Sequence, residues 1–130
     1  MTRAPLILVV EDNPRNLKLV RDVLDHIGYR TLVAANGEQG VELAGEYRPD
    51  LTLMDVQLPG IDGVEALARL RADPTTAQLR VAALTASAMK EDRDRLLAAG
   101  FDGYLEKPLD VRAFPAQVAA LIDGSEAGAP

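Results

Sequence analysis

Four short apolar runs each lead into a reactive side chain. Leu6-Ile-Leu-Val-Val10 runs into Glu11 and Asp12, Leu51-Thr-Leu-Met54 into Asp55, and Val81-Ala-Ala-Leu84 into Thr85, while Gly103-Tyr-Leu105 is followed two residues later by Lys107. Runs of this length and composition are buried strands, so each reactive group stands at a strand end. In a parallel sheet all those ends lie on one edge, and three carboxylates, a hydroxyl and an ammonium would share one crevice. The carboxylates repel one another: two unit charges about 4 Å apart cost roughly 4 kcal/mol at an effective dielectric near 20. A divalent cation resolves the conflict. Hard oxygen donors in a small site suit Mg²⁺, and Mn²⁺ also fits. A carboxylate nucleophile, a cation, a positive point charge and a hydroxyl donor are the parts needed to accept a phosphoryl group, because that transfer depends on positioning and on neutralising the equatorial oxygens. Asp55 is the candidate nucleophile. It stands alone at its strand end, between the acid pair Glu11/Asp12 that would hold the metal and the pair Thr85/Lys107 that would hold the phosphoryl oxygens.

The elements that must position these groups are legible as an alternation. With Arg30 to Ala35, the apolar runs number five, and they are separated by stretches of helical period. That is the mark of an α/β fold with a parallel, doubly wound sheet. The first and third runs lack polar alternation, as strands covered on both faces do, and should be central. Asn13-Pro14 opens the first helix, with Leu17, Val20, Leu24 and Ile27 along one stripe, and Gly28 ends it. A second helix follows Asn36-Gly37 with Val41, Ala44 and Tyr47 inward. A third starts near Asp62 with Val64, Leu67 and Leu70 inward and stops at Asp73-Pro74. The fourth holds Met89, Leu96 and Leu97 and ends on Gly100, and the fifth holds Phe114, Val118, Leu121 and Ile122. Residues 1–122 are expected to form one domain, and 123–130, small and polar, a flexible C-terminal tail.

Composition narrows the function classes. The chain has 130 residues, enough for one compact core. Its 14 Lys and Arg against 20 Asp and Glu give a net charge of -6, which disfavours nucleic acid and anionic lipid as partners and favours a cation or a basic surface. Without cysteine there are no disulfides, thiolate metal sites or thiol nucleophiles. No apolar run approaches the length of a membrane span or a signal-peptide core, so a soluble cytoplasmic protein is expected.

Four segments in order, Val-Val-Glu11-Asp12-Asn-Pro, Leu-Met-Asp55-Val-Gln-Leu-Pro59-Gly-Ile-Asp-Gly63, Ala-Leu-Thr85-Ala86 and Tyr104-Leu-Glu-Lys107-Pro108, resemble the receiver domains of two-component response regulators, over about residues 5 to 122. The resemblance implies a flavodoxin-like sheet of order 2-1-3-4-5 with five helices. It implies Asp55 as phospho-acceptor, Asp12 and Asp55 as direct Mg²⁺ ligands with the backbone carbonyl of Gln57, and Glu11 as a ligand through water. Thr85 and Lys107 would bind the phosphoryl group, Thr85 and Tyr104 would switch together, and Lys107-Pro108 would be a cis peptide, which only an X-Pro bond adopts cheaply. Read by itself, Tyr104 is a half-buried aromatic on an edge strand.

The run Leu-Thr85-Ala-Ser-Ala-Met-Lys90 resembles single-domain regulators of the cell-division type and the receivers of hybrid histidine kinases. The function implied is a phosphorylation-controlled signalling module rather than an enzyme. A histidine kinase or phosphotransfer protein donates, and the face formed by the fourth helix, fifth strand and fifth helix changes its protein target, as a monomer or a phosphorylation-dependent dimer. The alternative is a receiver fragment of a hybrid kinase, or a relay intermediate that passes the phosphoryl group on. Ala86, Ala88 and Met89 are candidates for part of a docking surface, although core packing explains Met89 as well. An aspartyl phosphatase of the haloacid-dehalogenase class fits less well, because its second aspartate is replaced by Gln57. A flavodoxin-like electron carrier fits less well because the first loop is acidic where a flavin phosphate needs donors.

Overall fold

The computed structural model describes residues 4–87 and 89–124, so Ala88 and most of the expected tail lie outside it. Five strands and five helices alternate: β1 Leu6–Val10, α1 Pro14–Ile27, β2 Arg30–Ala34, α2 Gly37–Tyr47, β3 Leu51–Asp55, α3 Gly63–Ala72, β4 Val81–Thr85, α4 Lys90–Ala99, β5 Gly103–Glu106 and α5 Phe114–Asp123. The strands form one sheet in the order β2-β1-β3-β4-β5, and every neighbouring pair is parallel. β1 and β3 are interior strands, as their unbroken apolar character requires. Among the described residues no helix is long and apolar enough to cross a membrane.

The two-residue period of the strands sorts their side chains into two cores. Ile7, Val9, Leu51, Leu53, Ala82, Leu84 and Leu105 face one side, where Val20 and Leu24 of α1 and Phe114, Val118 and Leu121 of α5 cover them. Leu8, Val10, Met54, Val81 and Ala83 face the other, under Ala44 of α2, Ala66, Leu67 and Leu70 of α3, and Leu96 of α4.

Helix ends follow the capping chemistry in the sequence. Asn13 Oδ1 accepts from the amides of Arg15 and Asn16, Asn36 Oδ1 from Gln39, and Asp62 Oδ1 from Glu65. Gly28 adopts a left-handed φ of 107° and closes α1.

Five apolar side chains expected inward lie outside. Ile27, Tyr47 and Val64 sit in the terminal turns of their helices and are exposed there. Met89 is the N-cap residue of α4 rather than part of its stripe, and Leu97 points away from the sheet next to the buried Leu96. Leu96 is the one buried side chain of α4 among the described residues, so this helix is lightly anchored.

Candidate functional site

The carboxyl edge of the sheet is held by ladder bonds that continue just beyond β1, β3 and β5. The amide of Glu11 donates to Ala34 O at 3.0 Å, that of Val56 to Leu84 O at 3.0 Å, and that of Lys107 to Thr85 O at 2.7 Å. Glu11, Asp55 and Lys107 are therefore placed by main-chain pairing rather than by loop conformation. Gly63 completes the frame. Its amide donates to Val56 O, and its α-carbon packs so tightly that a Cβ there would overlap the Asp55 carbonyl and approach Val56 Cα to 2.9 Å. No residue with a side chain fits between α3 and the end of β3.

The three carboxylates meet. Glu11, Asp12 and Asp55 each offer an oxygen, and those oxygens all lie within 4.8 Å of one another. Glu11 and Asp55 are buried, and Asp12 is exposed at the mouth. Lys107 reaches in from the end of β5, its Nζ 2.9 Å from Asp55 Oδ2 and 3.4 Å from Glu11 Oε1. The other oxygens are also engaged, Asp55 Oδ1 by the Gln57 amide at 2.9 Å and Glu11 Oε2 by the Asn13 amide at 3.2 Å.

One ammonium does not balance this cluster. Burial, then the hydrogen bond and charge of neighbouring Asp55, push the Glu11 carboxyl up from 4.5 to about 7, although the Asn13 amide and Lys107 act in the opposite direction. Burial by itself would lower Lys107, but its hydrogen bond to Asp55 and the charges of Asp55 and Glu11 outweigh that and hold it above its ordinary value. A buried carboxyl displaced this far, beside two more hard oxygen donors, is a donor set lacking positive charge. It fits Mg²⁺.

Beside Asp55 and Lys107 opens a crevice of about 210 Å³ that reaches the β4–α4 loop. A single water needs about 10–15 Å³ of such space, so a phosphoryl group fits there together with solvent. Gln57, Thr85 and Ala86 line it, and the Lys107–Pro108 bond at its edge is cis. The Thr85 hydroxyl is turned to the loop: Oγ1 donates to Ser87 O at 2.9 Å and accepts from the Ser87 amide at 3.2 Å. Tyr104 does not enter the crevice. It is half-buried against the α2–α3–α4 core, and its hydroxyl accepts from Arg93 Nη1 at 3.4 Å.

The chain is similar to known proteins. The family model for the response regulator receiver domain matches residues 7–119. The chain belongs to that family. It is 43% identical over 108 residues to the polar-differentiation response regulator DivK of Brucella anthropi, covering 83% of this chain and 88% of that protein, and 41% identical over the same length to that of Brucella ovis. Among solved structures, the receiver domain of a Pseudomonas aeruginosa sensor histidine kinase, with magnesium coordinated in its active-site cleft, superposes with a TM-score of 0.84 at 37% identity, over 92% of this chain and 98% of that one. A response regulator described as putative from Chloroflexus aurantiacus gives 0.87 at 30%, over 93% and 99%.

Seen as a receiver, the chain brings Glu11, Asp12, Asp55, Gln57, Thr85 and Lys107 together and leaves Tyr104 outside the crevice. Three contributors were given no role from the sequence, although Gly63 closes the segment around Asp55 that carries the resemblance. Gly63 shapes the strand end, and Asp92 and Arg95 of α4 form part of the crevice wall. The last two look in sequence like an ordinary i,i+3 pair on a solvated helix, and only the path of the β4–α4 loop brings them to the site.

Proposed function

We propose that this receiver takes a phosphoryl group onto Asp55 from a phosphohistidine of a kinase or phosphotransfer protein, and signals by the change in protein binding that follows. The observation that carries the reading is the setting of Asp55: a buried carboxylate at a strand end, 2.9 Å from Lys107, sharing a metal-competent cluster with Glu11 and Asp12 and facing a crevice of phosphoryl size. A carboxylate oxygen of Asp55 attacks phosphorus, the new O–P bond forms as the N–P bond of the donor breaks, and the histidine nitrogen leaves with the bonding pair. Water reverses the modification by releasing inorganic phosphate.

Asp12, Asp55 and the Gln57 carbonyl, with Glu11 behind them, would hold Mg²⁺, which when bound spreads the charge that builds on the phosphoryl oxygens. Lys107 already sits on the Asp55 oxygen and supplies a fixed positive charge to the product. Thr85 can donate to the phosphoryl group only by giving up the Ser87 carbonyl. That exchange, together with a move of Tyr104, is the packing change offered to partners. The face around α4, β5 and α5 carries the exposed Met89, Leu97 and Val111, apolar surface suited to a protein target. The likeness to regulators of the DivK kind favours a cytoplasmic regulator acting by protein contact, as a monomer or a phosphorylation-dependent dimer.

The test is incubation with Mg²⁺ and acetyl phosphate followed by intact-mass measurement. The wild type should gain one phosphoryl mass, in a form cleaved by hydroxylamine, and Asp55→Asn should gain none. An unmodified wild type, or a fully modified Asp55→Asn, defeats the assignment. The likeness to a sensor-kinase receiver supports a second role, relay of the phosphoryl group to a histidine phosphotransfer protein. Loss of label from the phosphorylated receiver to such a protein would distinguish it.

A further inference from the structure

Asp92 and Arg95 have no part in the function just proposed, yet both line the crevice with Asp55, Thr85 and Lys107. Arg95 Nη2 lies 2.9 Å from Asp92 Oδ1, and Asp92 Oδ2 accepts from Ser87 Oγ at 2.6 Å. Ser87 is the residue whose main chain holds the Thr85 hydroxyl. One carboxylate thus ties an arginine on α4 to the loop that must release Thr85. An exposed i,i+3 pair is usually no more than helix surface. Here the Asp92 side chain is only 29% exposed, turned into the crevice wall, whereas that of Arg95 is 75% exposed and free to swing.

We propose that Arg95 is a second cation for the phosphoryl group, held by Asp92 until Asp55 is modified and then transferred to the phosphoryl oxygens. The inference rests on Asp55 being the acceptor. Lys107 is already shared between Asp55 and Glu11, so it cannot by itself offset the charge of roughly -1.5 to -2 that a phosphoryl group brings. Asp92, in the same wall, adds repulsion. A guanidinium presents paired N–H donors that match two phosphoryl oxygens, a geometry an ammonium lacks. The exchange costs Arg95 little, because its guanidinium end is mostly in solvent, where ion pairs are weakly held, and the less exposed Asp92 keeps the Ser87 hydroxyl. It also leaves Asp92 with Ser87 as its remaining partner, so the loop bearing Thr85 and the phosphoryl group are read by the same helix. α4, anchored among its described residues by Leu96, is held lightly enough to respond.

Beryllofluoride, which adds to the acceptor carboxylate in the presence of Mg²⁺, is the probe. Arg95→Gln should bind it about two- to fivefold more weakly than wild type, the loss of one exposed charged contact, and should lose the phosphoryl group from Asp55 correspondingly faster. Arg95→Lys should fall between the two. Asp92→Asn, which releases the arginine, should bind at least as tightly as wild type. At about 1 M salt, where charges are screened beyond about 3 Å, the deficit of Arg95→Gln should shrink. Wild-type affinity in Arg95→Gln, a deficit indifferent to salt, or an equal loss in Asp92→Asn would overturn the proposal, the last because it would mean the pair merely braces the loop. Failure of the wild type itself to bind the probe would instead strike at Asp55 as acceptor, so the two failures are distinguishable.

Discussion

Lys107 and Glu11 show how far single side chains at this site depend on their neighbours. Lys107 serves the phosphoryl chemistry yet opposes the metal, since its positive charge lies beside the same carboxylates that would hold a cation. Lys107→Met is therefore expected to bind Mg²⁺ more tightly, by about fivefold, while its yield of phosphorylated protein from acetyl phosphate drops. Calorimetry and intact mass measured on one preparation check the two opposite signs, and a fall in both quantities would contradict this account. Glu11 makes a prediction about pH. Its carboxyl rises from 4.5 unfolded to about 7 folded, so the stability it contributes is full below pH 4.5 and is lost as pH climbs through 7. In protein freed of divalent ions, Glu11→Gln should therefore gain on wild type by about 2 kcal/mol between pH 5 and pH 8 in urea unfolding. A difference that stays flat with pH would remove the argument. Glu11, Asp12, Asp55, Thr85 and Lys107 were legible in the sequence because each follows a short apolar run, and strand ends converge in a parallel sheet. Asp92 and Arg95 were not, since nothing in a charged helix says where the preceding loop carries it.

Elements position the site through their junctions more than through their middles. The ladder bonds of Glu11, Val56 and Lys107 extend pairing beyond β1, β3 and β5, so the reactive groups inherit the rigidity of the sheet. The turn from β3 to α3 depends on Gly63, and Gly63→Ala should destabilise the fold by about 2 kcal/mol by forcing backbone apart, while lowering Mg²⁺ affinity because the Asp55 end of β3 moves. Chemical unfolding and a metal titration test this together, and a stable variant with unchanged affinity would refute it. Periodicity located all five helices, with caps at Asn13, Asn36 and Asp62 where their side chains predict them. It misplaced Ile27, Tyr47 and Val64, because a helical stripe shows which face is apolar but not how far along the helix the covered surface extends. Met89 and Leu97 were misread for a related reason: α4 is mostly charged and buries one described side chain, so its sequence carries little periodic signal.

At the level of the whole molecule, the acidic cluster links metal binding to folding. Ions that bind only the folded protein add about 2.7 kcal/mol when present at a hundredfold over their dissociation constant. The melting temperature should accordingly rise with Mg²⁺, and Asp12→Asn, exposed at the mouth of the site, should blunt that rise without a matching loss of stability in chelator. Melting that ignores Mg²⁺ would argue against the metal site. The sequence alone determined the alternation of strands and helices, the parallel sheet and the reactive residues at its carboxyl edge, because burial and pairing impose local periods that can be read without coordinates. Tertiary structure decided the rest. The pairing of Lys107 with both Asp55 and Glu11, the Thr85 hydroxyl turned to Ser87, and the arrival of Asp92 and Arg95 in the crevice wall are contacts between segments far apart in the chain or joined by an irregular loop. No local period encodes such contacts, and only the packed chain sets their distances.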